Sequence, residues 1–147
     1  MRQLLMAAGL LAKKAVEAGL TVAPHITKKL GYDPRRDFTP LSIAVGFPNV
    51  LVVGAQTGIK TFAEFVAFAK KNPGKLDFAS TGPGSASHLA GELLNDMAKI
   101  DTGHVPYKGG LPAAIDLAAG RIQLSLLGIG SIRAQLAARQ VRVTLPT

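Results

Sequence analysis

"DFASTGPGSASHLAGELL", residues 77–94, opens as a strand and closes as a helix. "KLDFAS" is short and apolar-centred, as a strand should be. Leu89, Leu93, Met97 and Ile100 then recur at helical spacing, which predicts an amphipathic helix with those four residues inward. Between the two lies a turn of small residues, with glycines at 82 and 84. A strand that passes through such a turn into a helix is half of a βαβ unit, and that unit decides the fold class.

The pattern repeats on both sides. Upstream, "NVLVVGA" (residues 49–55) is a β-branched run ending at glycine and reads as a buried strand. "KTFAEFVAFAKKNPGK" follows as a helix: Thr61 and Glu64 form a capping box, Phe62, Phe65, Val66 and Ala69 make the apolar stripe, and Asn72-Pro73-Gly74 ends it. Lys70 and Lys71 suit the negative end of its dipole. Downstream, "TGHVPYK" predicts a strand that Pro106 confines to a sheet edge. Pro112 opens a third helix with Ile115 and Ala118 inward, and Gly120 stops it. "RIQLSLLG" alternates Ile122, Leu124 and Leu126 inward with Gln123 and Ser125 outward. Ser131 caps a last helix through Leu136, and "VRVTL" is a terminal strand. Strand and helix alternating in this way predict an α/β sheet of mostly parallel strands flanked by helices.

The 147 residues suit one domain or two small lobes, and 48% hydrophobic content supports a packed core. The net charge of +8 sits at the two ends, because residues 37–120 carry six basic and seven acidic side chains. That distribution, with no aromatic RNA-binding motif and no Cys/His finger, argues against a nucleic-acid partner. The chain has no cysteine, so disulfides and thiolate chemistry are excluded. Apolar runs fall short of the roughly 20 residues that span a bilayer. Leu4 to Ala12 has the size of a signal-peptide core, but Lys13-Lys14 follow it and no A-x-A site comes next. Leu4, Leu5, Ala8, Leu11, Ala12 and Ala15 read instead as an amphipathic helix.

In an α/β sheet, ligands collect where strands end and helices begin. Gly82 and Gly84 let the backbone take positive φ and approach a ligand closely. Ser80 and Thr81 supply hydroxyls, Ser85 or Ser87 can cap the following helix, and His88 can donate from its first turn. Free amides, hydroxyls and the positive helix end together suit a carboxylate or phosphate. A plain turn with a capped helix is the alternative reading. The glycines do not complete G-x-G-x-x-G, no Lys lies between Lys75 and Lys99 for a phosphate loop, and G-x-S-x-G is absent. His25, His88 and His104 sit in different elements, and the acids are scattered, so neither a metal site, a cofactor site nor an enzyme's acid–base pair is expected.

Several stretches together resemble the Bug-type periplasmic solute-binding proteins, the receptors of tripartite tricarboxylate transporters. They are "YDPRRDF", "NPGKLDFASTGPGSASHLAGE" and "VPYKGGLPAAIDLAAG", in that order, within a likeness running from about Pro24 to Ser131. The resemblance implies a two-lobed periplasmic-binding-protein fold closing on a small carboxylate, which is delivered to the transporter's membrane subunits or, in some members, to a signalling partner. It also implies that the carboxylate is held by the turn carrying Ser80, Thr81, Gly82, Gly84, Ser85, Ser87 and His88. Lys108 and Gly109, with Gly110, are implied as secondary contacts, a simple Gly-rich helix start being the alternative reading.

The family's "PFxxGG" loop is not found here. The expected organisation is a partial first-lobe helix and linker over 1–40, a central ligand-binding lobe over 41–131, and a return segment to an incomplete first lobe over 132–147. An incomplete lobe would expose sheet surface and favour homo-oligomers. Two functions follow: a carboxylate receptor in the periplasm, or a shortened non-binding relative acting as a structural or partner-interaction domain.

Overall fold

A computed structural model describes residues 19–34, 36–39 and 48–144. The helix expected between Leu4 and Ala15 therefore lies outside the described residues. The chain divides into two compact units, Met1–Gly46 with Gly84–Ala86, and Phe47–Pro83 with Ser87–Thr147. In the first, helix α1 spans Gly19–Ile26. The "YDPRRDF" stretch of this unit is a closed turn: the Asp33 amide donates to the Asp37 carboxylate at 2.6 Å, and the Tyr32 and Phe38 rings meet edge-on at 5.4 Å. Pro34 and Arg36 thus sit within a turn whose ends are pinned by a hydrogen bond and an aromatic pair.

The second unit is an α/β layer structure. In chain order it contains β1 (Asn49–Gly54), α2 (Phe62–Lys71), β2 (Asp77–Ser80), all but the first residue of α3 (Ala86–Ala98), β3 (Gly103–Pro106), α4 (Gly110–Ala118), β4 (Leu124–Gly128), α5 (Arg133–Ala137) and β5 (Val141–Thr144). The five strands form one sheet in the order β3-β2-β4-β1-β5. β2 is parallel to both β3 and β4, while β1 runs antiparallel to β4 and β5. Four strands therefore share one direction and β1 opposes them. β3 is an edge strand, which tolerates Pro106 at its end. β5, read from the sequence as part of a return segment, pairs with β1 at the other edge of the same sheet.

The sheet is buried on both faces. Leu51, Val53, Phe65, Ala69, Phe78 and Leu124 form one core with α2 and α3. Val52, Ala79, Ala114, Leu117, Leu127 and Ile132 form the other with α4 and α5. Successive residues of β1 and β2 thus enter opposite cores, as the two-residue period of a strand requires. β4 lies inside a sheet that helices cover on both faces, so neither of its faces is open to solvent as a polar face would be, and this corrects the alternation read from its sequence. Ser125, expected outward, is fully buried and donates its hydroxyl to the Ala79 carbonyl at 2.7 Å. A central strand needs apolar or satisfied side chains on both faces, which alternation alone does not reveal.

Helix α3 is rotated relative to its expected face. Leu89, Leu93 and Met97 are 41%, 57% and 73% exposed, whereas Ser87 and Gly91 are buried and Leu94 and Ala98 pack on the core. The cause is the Phe78 ring: a Cβ at Gly91 would lie 2.2 Å from its Cε2. Only a glycine lets the helix backbone settle on that ring, and the larger side chains are left on the opposite side. Ile115 of α4, expected inward, is likewise exposed, because Ala113, Ala114 and Leu117 supply the buried face.

Helix α2 follows its sequence closely. Thr61 accepts from the Glu64 amide at 3.2 Å, and Glu64 reaches back to the Lys60 amide at 2.7 Å. Thr61→Ala should lower stability by about 1 kcal/mol, measured as a shift in urea midpoint at unchanged m-value. At the C-terminal end of the unit, Ser131 lies in a short 3-10 turn, and α5 begins after Ile132 with no side-chain cap. Its expected capping role is therefore not met: the extra turn moves the helix start past the serine.

Candidate functional site

β2 and β3 are parallel neighbours, so the turns that follow them open at the same edge of the sheet. The register pairs Ser80 with Pro106, and the Tyr107 amide donates to the Ser80 carbonyl at 3.0 Å. Gly82 comes close to the second turn: a Cβ there would stand 3.5 Å from the Tyr107 carbonyl oxygen. Its φ of +136° and the +72° of Gly84 are conformations that side chains rarely adopt.

The hydroxyls turn out to hold this turn in shape. Ser80 is completely buried, and its Oγ accepts from the Gly82 amide at 3.2 Å and lies 2.7 Å from His104 Nε2. Ser87, also buried, accepts from the Thr81 amide at 2.9 Å and meets Thr81 Oγ1 at 3.1 Å. Ser85 is buried immediately before α3. Ser80, Thr81, Gly82, Ser87 and His88 are therefore brought together around one loop, with the positive end of a 13-residue helix behind it. Lys108 is exposed on the neighbouring turn, and Gly109, at φ +117°, precedes α4 without a side-chain cap.

Sequence reasoning missed two participants and a neighbour. His104, read only as lying in a different element from the other histidines, stacks on Phe78 at 4.9 Å and on His88 at 3.9 Å between ring centroids. Glu92, four residues beyond His88 on α3, lies 3.6 Å from its Nε2. The signal available was the i,i+4 His–Glu spacing, which puts both on one flank of a helix. Ser131 is the neighbour: a Cβ on Gly110 would come within 2.6 Å of its Oγ. That proximity depends on how β4 lies beside β2, which no local pattern records.

Burial pushes the His104 imidazole below its ordinary value of 6.5, His88 adds to that, and Glu92 opposes it. The folded state thus favours neutral His104, while the unfolded chain takes up a proton near 6.5. Its contribution to stability is complete above 6.5 and declines as pH falls below that value. Unfolding in urea at pH 7.5 and 5.5 should show a larger acid loss for the natural chain than for His104→Gln. Beside the second turn, the Tyr107 hydroxyl donates to Asp116 Oδ2 at 2.8 Å, and Arg121 Nε donates to Asp116 Oδ1 at 2.9 Å. The Arg121 guanidinium and the Tyr107 hydroxyl hold the Asp116 carboxyl below the usual carboxylate range. This bridge fixes the turn between β3 and α4.

The sequence pattern of the tripartite tricarboxylate transporter family receptors matches residues 9–145. The chain belongs to this family. A UPF0065 protein from the tcbD–tcbE intergenic region of Pseudomonas sp. (strain P51) is 40% identical to this receptor-family chain over 124 residues, covering 84% of it and 37% of the relative. Protein BugT of Bordetella pertussis is 31% identical over 103 residues, covering 70% of the chain and 32% of BugT.

Among solved structures, R. palustris Rpa4515 with adipate superposes with a TM-score of 0.83 at 29% identity, over 95% of the chain and 50% of Rpa4515. The periplasmic binding protein BugD gives 0.79 at 29%, over 87% and 43%. MatC from Rhodopseudomonas palustris, with bound malate, gives 0.75 at 28%, over 88% and 43%. The fold is thus that of a periplasmic-binding-protein lobe, and the chain spans half or less of each of these relatives. Among the described residues no helix is long and apolar enough to cross a membrane.

Proposed function

We propose that the protein captures a small carboxylate-bearing metabolite in the periplasm for a tripartite tricarboxylate-type transporter. The ligand's carboxylate is held by the turn between β2 and α3. The observation that carries this reading is the construction of that turn. Two left-handed glycines, at φ +136° and +72°, shape a loop whose buried Ser80 and Ser87 hydroxyls anchor Gly82 and Thr81 from within. Such a loop presents backbone to a ligand in front of a helix N-terminus, where a carboxylate is favoured. Support comes from the relatives of the same fold that hold adipate and malate. Gly109 and Lys108 provide a second set of contacts from the adjacent turn, one amide and one cation.

Thermal unfolding followed by circular dichroism, against a panel of mono- and dicarboxylates, tests the reading. A ligand at a hundred times its Kd should add about 2.7 kcal/mol and raise the midpoint by several degrees. A second reading rests on α3, whose exposed Leu89, Leu93 and Met97 give it an apolar outer stripe fit for a protein partner. A cooperative melt that no carboxylate moves would favour this interaction-domain reading over the receptor.

A further inference from the structure

We propose that His88, Glu92 and His104 form a binding site for a first-row divalent cation of the zinc or nickel class. One nitrogen from each imidazole and one Glu92 carboxylate oxygen all lie within 4.8 Å of one another. His88 and Glu92 occupy one flank of α3, four residues apart, and His104 faces them from β3. Two imidazoles and a carboxylate are the donor set that borderline ions of this class prefer, and a three-ligand site keeps a fourth position open.

In a tetrahedral site the ligand atoms stand roughly 3.4 Å apart, given metal–ligand distances of about 2.0–2.2 Å. The His88 Nε2 to Glu92 Oε1 distance of 3.6 Å already approaches that value. The two rings are stacked, inclined by only 19°, so their lone pairs run side by side and one ring must turn for both to reach an ion. His88 is the ring that turns, because its side chain is 24% exposed and its partner Glu92 is 52% exposed. His104 stays in place, backed by Phe78 and oriented by Ser80 Oγ at 2.7 Å, as an outer oxygen partner orients a metal-bound imidazole. The inference does not rest on carboxylate capture, since the three side chains would hold the ion without an organic ligand.

Titration of the tag-free full chain with zinc chloride at pH 7.5, in a buffer that does not chelate metals, tests the proposal by calorimetry. One saturable equivalent is expected, with a raised thermal midpoint. His88→Gln and Glu92→Gln should each weaken binding by tenfold or more, because even outer-sphere changes cost about 10–100-fold. His25→Gln should change nothing, and circular dichroism in metal-free buffer should show that all three variants melt cooperatively. Absence of one-to-one binding would overturn the proposal. So would binding indifferent to His88→Gln and Glu92→Gln, or binding lost with His25→Gln.

Discussion

Phe78→Ala will lower the free energy of unfolding by about 3–5 kcal/mol, as expected for removing a fully buried aromatic ring. A domain of this size has about 5–15 kcal/mol in total, so the variant will be near the limit of folding. The ring lies in the core between the sheet and α2–α3, stacks on His104, and occupies the space in front of Gly91. Gly91→Ala will therefore destabilise as well, by about 1–3 kcal/mol or more, since its methyl would stand 2.2 Å from Phe78 Cε2. The two costs share one cause and will not add. In the double variant the alanine methyl enters the space that the ring has left, so its total cost will fall below the sum of the singles. Urea unfolding of the four proteins measures that difference. Full additivity would mean that α3 does not rest on Phe78 through Gly91.

The second large effect concerns the turn itself. Gly82→Val will reduce carboxylate affinity roughly tenfold to a hundredfold, the loss of one hydrogen bond to a charged group at about 1.5–3 kcal/mol. Valine is poorly tolerated at φ +136°, so the loop must move to admit it, and the Ser80–Gly82 hydrogen bond moves with it. The same change leaves the two cores untouched, because Gly82 belongs to neither. Calorimetric titration with malate and adipate, beside thermal melts without ligand, separates the two consequences. Lost affinity with a retained cooperative melt is the expected result. Unchanged affinity would place the carboxylate elsewhere.

Much of this architecture was legible from local patterns. The capping box at Thr61, the glycine-rich turn and the edge position of Pro106 each depend on a few neighbouring residues, and each is found where the pattern puts it. What escaped depends on contacts between distant segments. The Leu89–Leu93–Met97 spacing is a sound helical stripe, yet the closeness of Phe78 to Gly91 decides which side is buried. Ser125 reads as an outward polar residue until the sheet is seen to carry a core on each face. The histidines illustrate the same limit. His88 and His104 are sixteen positions apart in the numbering, and only the parallel pairing of β2 with β3 beneath α3 stacks them.

Whether the turn between β2 and α3 holds the carboxylate can be read by chemical-shift mapping, to which a 15.3 kDa chain is suited. Amide spectra of the 15N-labelled protein would be followed while malate or adipate is added to saturation. The largest shifts are expected on residues 81–88, with a second group at 107–110 and little change along β1 and β5. Saturable shifts centred elsewhere, or none with any carboxylate, would contradict it.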